Sequence, residues 1–270
     1  MTNIQILLLS VLQGLTEFLP VSSSGHLILF SKFTSFPDQG LELDVAVHVG
    51  SIIAVMIYFW RDIRNIIVGL WQSRFLPSLK NSGSRLFWLI IIGTIPAVIV
   101  GFALKAYGIE EFRSAKLIGW TMFCYGFILY FADHYGRTDR KVDNIGIKEA
   151  LLIGLAQCLA LVPGTSRSGI TITTARLLGL ERREAARFSM LLSIPTIAGA
   201  GLLVALEIIQ QGSVSQISDA LHGVAYSFIS SILAIYVIMW WLKKSTFTPF
   251  VIYRFFLGGY LLLDAYGFLS

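Results

Sequence analysis

Apolar residues occur along this chain in long blocks rather than in the two-residue alternation of a half-buried strand. Six blocks, at roughly residues 44–60, 86–105, 115–132, 187–208, 220–242 and 252–269, reach the length of about 17–25 residues that crosses a bilayer. The bilayer interior offers no water to backbone N–H and C=O groups, so each block is predicted to be a helix. Two further apolar regions, 3–36 and 147–180, are broken near their middles by proline, glycine and a serine cluster. They are predicted to be re-entrant helical hairpins, each leaving the membrane on the side from which it entered.

The polar connections assign the sides. Residues 61–85 carry five Lys and Arg, residues 133–187 carry eight apart from Arg167, and residues 243–254 carry three. The opposite side holds Lys32, Lys105, Arg113 and Lys116. Basic residues concentrate in cytoplasmic loops, so the first set is expected in the cytoplasm and both termini outside it.

Composition sharpens this picture. With 55% hydrophobic and 14% charged residues and a mean hydropathy of +0.72, the 270-residue chain lies outside the soluble range and is expected to be one membrane domain, 1–270. The net charge of +5 sits in short loops and not along one polar face, which argues against a nucleic-acid partner. Cys124 and Cys158 lie inside apolar runs with no spacing suited to a disulfide framework or a zinc site. The first basic residue is Lys32, so the N-terminus is expected to belong to the mature fold rather than to a cleaved signal. His134, His222 and aromatic residues such as Trp60, Trp120, Tyr130, Trp240 and Trp241 fall at span ends as interfacial anchors.

Shifting the chain by 144 residues lays Gln13 on Gln157, Ser22 on Ser166, Ser24 on Ser168 and Gly25 on Gly169, with seven identities over the 22 positions from Ile4 to Gly25. Halves of about 1–132 and 145–270 would each hold one broken hairpin and three spans. An odd span count turns the second half upside down, giving an inverted-topology repeat of the kind built around mid-membrane sites.

The breaks carry the candidate chemistry. In the first, Gln13 and Glu17 are one helical turn apart, Pro20 ends the helix, and Ser22, Ser23, Ser24 and Gly25 precede His26 and a new apolar run. Hydroxyls and free amides at a helix start suit an anion, and ionisable groups in an apolar setting are expensive unless used. The second break, Pro163-Gly164-Thr165-Ser166-Arg167-Ser168-Gly169-Ile170-Thr171, repeats the design and adds a guanidinium able to hold two phosphate oxygens. A solvated hairpin tip, or a structural Glu17–Arg167 pair, would use the same residues. The halves differ where it matters: Glu17 aligns with Leu161, His26 with Ile170 and Ser23 with Arg167. One half brings acid and base groups and the other a phosphate clamp, which favours phosphoryl transfer over a symmetric pore. Asp44 and His48, four apart, are weaker candidates to face the site, and Glu207 and Asp264 weaker still.

These two motifs, together with Asp44-Val-Ala-Val-His48-Val-Gly50, resemble the signatures of the undecaprenyl pyrophosphate phosphatases of the bacitracin-resistance (BacA/UppP) type, and the resemblance covers nearly the whole chain. It implies an all-α integral membrane fold of the bacterial plasma (inner) membrane. The implied reaction is hydrolysis of undecaprenyl pyrophosphate to undecaprenyl phosphate and inorganic phosphate, at a site open to the periplasmic or extracellular side. It implies catalytic roles for Glu17, Ser23, His26 and Arg167, and a divalent cation, Mg²⁺ or Ca²⁺, at Glu17 and Gln13. Many members carry glutamate where this chain has Gln13, and a neutral amide is the weaker ligand for a hard cation. Ser22, Ser24, Gly25, Gly164, Thr165, Ser166, Ser168, Gly169 and Thr171 are expected to bind substrate. On this reading Ser23 attacks phosphorus while His26, three residues on, takes its proton; the alternative makes His26 the nucleophile. Membrane lipid surrounds the chain, and a homodimer is compatible with it. The competing class is a polyprenyl-phosphate flippase or ion-coupled transporter built on the same repeat.

Overall fold

The computed structural model describes residues 2–34, 36, 40–78, 80–107, 114–211 and 214–268. It is helical: α1 (Asn3–Thr16), α2 (Ser23–Phe33), α3 (Gly40–Tyr58), α4 (Trp60–Gln72), α5 (Ser82–Ala106), α6 (Ala115–Tyr135), α7 (Ile147–Gln157), α8 (Arg167–Leu177), α9 (Arg182–Gln211), α10 (Val214–Trp241) and α11 (Thr248–Ala265). Three stretches, Ser82–Leu104, Ala115–Tyr135 and Ser218–Trp241, are long and apolar enough to cross a membrane by themselves, and α3 with α4 forms a fourth candidate bent by 77°. The result is an integral, multi-pass membrane architecture in which large apolar side chains such as Ile99, Phe127 and Phe256 face outward.

The bend after Tyr58 differs from expectation, because residues 61–85 read as a connection. Trp60, Ile67, Val68 and Trp71 are exposed on α4 among Arg61, Arg64 and Asp62, the pattern of a helix lying along an interface rather than through it. Arg254 also departs from the loop assignment used in the charge count: it lies inside α11 and is 1% exposed. Arg176, likewise counted as a loop cation, is fully buried at the end of α8. Of the residues counted on the opposite side, Arg113 and the side chains of Lys32 and Lys105 lie outside the described set, as does the side chain of Glu207.

Close helix contacts are made at small residues, as expected where lipid removes the hydrophobic drive between helices. A Cβ on Gly14 of α1 would come within 2.0 Å of Ser230 Oγ and 2.7 Å of the Ser227 carbonyl oxygen on α10. One on Gly154 of α7 would come within 2.4 Å of the Gly93 carbonyl oxygen on α5. Thus α1 packs on α10 and α7 on α5, while α3 packs on α10 and α9 on α5. Ser51, Ser227 and Ser231 bridge α3 and α10 through hydroxyl contacts of 2.9–3.0 Å.

One end of the bundle is tied by charge. Asp133, at the end of α6, accepts from Arg176 Nε (3.2 Å), Arg182 Nε (2.7 Å) and the Phe247 amide (2.9 Å). Arg140 pairs with Glu149, and Arg187 with Glu184 and Asp62. These pairs join α4, α6, α7, α8 and α9 at one face.

Candidate active site at the meeting of two broken helices

The two breaks fold alike. Ser22 and Ser166 each take a left-handed φ, 74° and 73°, and each hydroxyl accepts from the amide three residues on, Gly25 at 3.3 Å and Gly169 at 3.0 Å. A serine in this region is strained by the clash of Cβ with its own carbonyl, and strain of this kind clusters at functional sites. It turns the chain abruptly, so that α2 and α8 begin at Ser23 and Arg167.

The turns touch each other. Ser168 Oγ donates to the Leu19 carbonyl at 3.0 Å. Arg167 Nη2 donates to Glu17 Oε1 at 2.7 Å across 150 residues of sequence, and Arg167 Nη1 donates to the Ser189 carbonyl of α9 at 2.9 Å. The other carboxylate oxygen of Glu17 accepts from Ser23 Oγ at 2.6 Å and Gln13 Nε2 at 2.9 Å, with His48 Nε2 at 3.6 Å. Glu17 is 6% exposed, so it is the buried hub of a cluster drawn from α1, α2, α3 and α8.

His26 lies apart from this hub. Its Nδ1 is 2.7 Å from the Ser22 carbonyl and its Nε2 is 2.5 Å from the phenol oxygen of Tyr253 on α11. The Ser23 hydroxyl, expected to give its proton to His26, is directed instead to Glu17 in this structure. The reason is helical geometry, since His26, one turn into α2, is drawn back toward the carbonyl of its own helix cap.

A scan against family models matches residues 6–260 to the bacitracin resistance protein BacA. The chain belongs to the BacA family. Curated proteins similar to this BacA-family chain include undecaprenyl-diphosphatases of Hahella chejuensis (48% identical over 266 residues; 98% of this chain, 99% of the relative), Roseobacter denitrificans (47% over 268; 98% and 100%) and Alteromonas mediterranea (46% over 262; 97% and 98%).

Of the BacA-family motif residues, Gln13, Glu17, Ser23, Arg167 and Ser168 share the cluster, while Ser22 and Ser166 shape the turns. Ser24 is exposed beside Ser22 Oγ at 3.4 Å. Gly164 has φ +88°, and a Cβ there would lie 2.1 Å from Thr121 Oγ1; one on Gly25 would press on Ile118 at 3.3 Å. Both glycines therefore serve close packing against α6. Thr165 is buried, and Thr171 Oγ1 is spent on the Arg167 carbonyl (2.8 Å) and Ser189 Oγ (2.7 Å), which makes it a brace within and beside α8. His48 reaches Glu17, whereas Asp44 provides the backbone oxygen that accepts from His48 Nδ1 at 2.5 Å. Asp264 is exposed at the far end of α11.

A divalent cation fits the donors present. Gln13 Oε1 is buried with no hydrogen-bond partner, on the amide whose Nε2 reaches the Glu17 carboxylate that also holds the Ser23 hydroxyl, and amide, carboxylate and hydroxyl oxygens are all hard ligands. Among the described residues no group of three His, Cys, Asp or Glu side chains converges on one point. Few protein ligands are needed for Mg²⁺, which commonly takes one or two carboxylates and completes its shell with substrate phosphates and water.

Arg254, Tyr253 and Ser189 join the site without belonging to either serine motif. Arg254 donates to the carbonyls of Pro20 in the first turn and of Gly164 and Thr165 in the second, and to Thr121 and Met122 of α6. The available signal was a single arginine six residues into the otherwise apolar run from Thr248.

Proposed function

We propose that this chain hydrolyses undecaprenyl diphosphate to undecaprenyl phosphate and inorganic phosphate, recycling the lipid carrier of cell-wall synthesis. The observation that carries the reading is one buried carboxylate, Glu17, holding the Ser23 hydroxyl on one oxygen and the Arg167 guanidinium on the other. The relatives named undecaprenyl-diphosphatase support the substrate.

Arg167 uses one N–H on Glu17 and one on Ser189, and the rest of its five donors are directed to the terminal phosphate. The first amides of α2 and α8 add the partial positive charge of two helix starts. Ser23 Oγ attacks the terminal phosphorus and gives its proton to Glu17. The new Oγ–P bond replaces the bridging P–O bond, and undecaprenyl phosphate departs. Water then attacks the phosphoserine, the Oγ–P bond breaks as Oγ recovers its proton from Glu17, and inorganic phosphate leaves as dihydrogen phosphate carrying both hydrogens of the water. Mg²⁺ or Ca²⁺ held by Gln13 Oε1 and Glu17 would supply charge neutralisation for the diphosphate. Serine is favoured over histidine as the nucleophile because His26 Nε2 is engaged by Tyr253.

The same reading places six spans and two re-entrant hairpins in an inverted repeat. It is supported by the matched turns at Ser22 and Ser166 and by the exchange of contacts in which α1–α10 mirrors α7–α5 and α3–α10 mirrors α9–α5. The ion pairs joining α4 and the α6–α9 end support a shared cytoplasmic face in the inner membrane, with the diphosphate entering from the opposite side.

The test is phosphate release by the pure protein in proteoliposomes with undecaprenyl diphosphate and Mg²⁺. Wild type releases phosphate and Glu17→Ala and Arg167→Ala lose about 10²-fold or more, the size of an electrostatic stabiliser. Wild-type rates in both variants would remove the assignment. Lipid translocation without phosphate release would favour the transporter reading, which the repeated contacts also suit. An acid-stable phosphoprotein trapped in single turnover supports Ser23, and an acid-labile one points to His26.

A further inference from the structure

The proposed hydrolysis leaves open why α11 should touch His26. The imidazole is 7% exposed and both of its nitrogens are engaged. A carbonyl oxygen only accepts, so the Nδ1 facing Ser22 carries the hydrogen. In the neutral ring Nε2 is then an acceptor, and the Tyr253 hydroxyl is its donor. The two ring planes lie within 12° with centroids 5.6 Å apart, across 227 positions of sequence. Tyr253 is 43% exposed, so its phenol joins a buried imidazole to the outer surface of the bundle.

We propose that Tyr253 is a positioning residue for His26, fixing it as the Nδ1–H tautomer and accommodating both of its charge states without movement of the ring. When Nε2 gains a proton, its N–H donates to the phenol oxygen and the phenol hydrogen turns away from the ring. A phenylalanine at position 253 preserves the packing and removes both arrangements, stranding a buried ring nitrogen, which is costly. This is the role of an orienting partner, whose hydrogen bond together with the Ser22 carbonyl sets which imidazole nitrogen carries the proton. The kinetic part of the inference rests on the phosphatase reading; the tautomer part does not.

The experiment compares the full-length protein with Tyr253→Phe by ¹⁵N-histidine NMR in detergent micelles and by phosphate release in proteoliposomes. The chain has 4 histidines, and the His26 signals are assigned by their loss in His26→Gln. Wild type shows His26 protonated at Nδ1 with an unprotonated, hydrogen-bonded Nε2. In Tyr253→Phe that signature is lost, kcat falls about tenfold, the scale of one hydrogen bond, and KM stays within about twofold of wild type. An Nε2–H tautomer in the wild type, or an unchanged His26 signature in Tyr253→Phe, overturns the proposal. So does a raised KM at constant kcat, which would make Tyr253 a substrate contact. Failure of the wild type to release phosphate would instead defeat the phosphatase reading, and the NMR comparison would still decide the contact.

Discussion

Replacing Arg254 by methionine removes a buried cation that ties both serine-bearing turns to α6. The guanidinium makes five hydrogen bonds to main-chain carbonyls, to Met122 (3.0 Å), Pro20 (3.2 Å), Thr121 (3.2 Å), Gly164 (3.1 Å) and Thr165 (3.1 Å). Methionine fills a similar volume and offers none of them. A buried acceptor left without its donor costs about 1–3 kcal/mol. If water or relaxation repairs three of the five, the remaining two still cost about 2–6 kcal/mol. The geometric effect is larger than the energetic one suggests. Pro20 lies two residues before Ser22 and Thr165 two before Arg167, so release of these carbonyls loosens Ser23 relative to Arg167. A misplacement of about 1 Å costs about 10²-fold in rate. Thermal unfolding in detergent should show a lowered midpoint for Arg254→Met, and the folded fraction should release phosphate about 10²-fold more slowly. Lysine, with a point charge and three donors, should recover part of the stability and little of the rate. A folded Arg254→Met protein with wild-type stability and turnover would refute the reasoning that one guanidinium sets the spacing of the two turns.

Further outcomes follow from other contacts. Asp133→Ala leaves Arg176 and Arg182 without their shared carboxylate and should cost about 3–5 kcal/mol of stability, read by denaturant titration, with folded protein keeping its KM. Gly14→Ala and Gly154→Ala each drive a Cβ into a facing helix backbone or hydroxyl and should each lower stability by about 1–3 kcal/mol; a neutral effect at either position would contradict the close packing of α1 on α10 or of α7 on α5. Gln13→Leu removes the unpartnered buried amide oxygen and should raise the Mg²⁺ concentration giving half-maximal phosphate release, whereas an unchanged dependence would exclude that oxygen as a ligand.

Much of the site was readable in the sequence because its residues violate the surrounding pattern. Glu17, His26 and Arg167 are polar groups in apolar runs, beside Pro20 and Pro163, where a helix is expected to stop. The distance between the breaks was not readable: the repeat suggested that they meet, but only the fold brings Glu17 Oε1 within 2.7 Å of Arg167. The assignment of the Ser23 proton to His26 rested on helical spacing alone, and spacing cannot show that the Ser22 carbonyl and Tyr253 occupy both ring nitrogens. Arg254 and Arg176 were hidden by their closeness to basic loops, since a charge census does not distinguish a solvated arginine from one saturated by carbonyls. The amphipathic helix α4 is hard to tell from a connection in the sequence because its run of exposed tryptophan and isoleucine is punctuated by Arg61, Asp62 and Arg64.

The central claim is that a carboxylate from one broken helix and a guanidinium from the other act on the same diphosphate. It is tested most directly by a double-mutant cycle on kcat/KM for undecaprenyl diphosphate with Glu17→Ala, Arg167→Ala and the pair together. Groups that act as a unit are non-additive, so the double variant should be little worse than the weaker single one. Losses that simply multiply would mean that Glu17 and Arg167 work independently, and the account would fail.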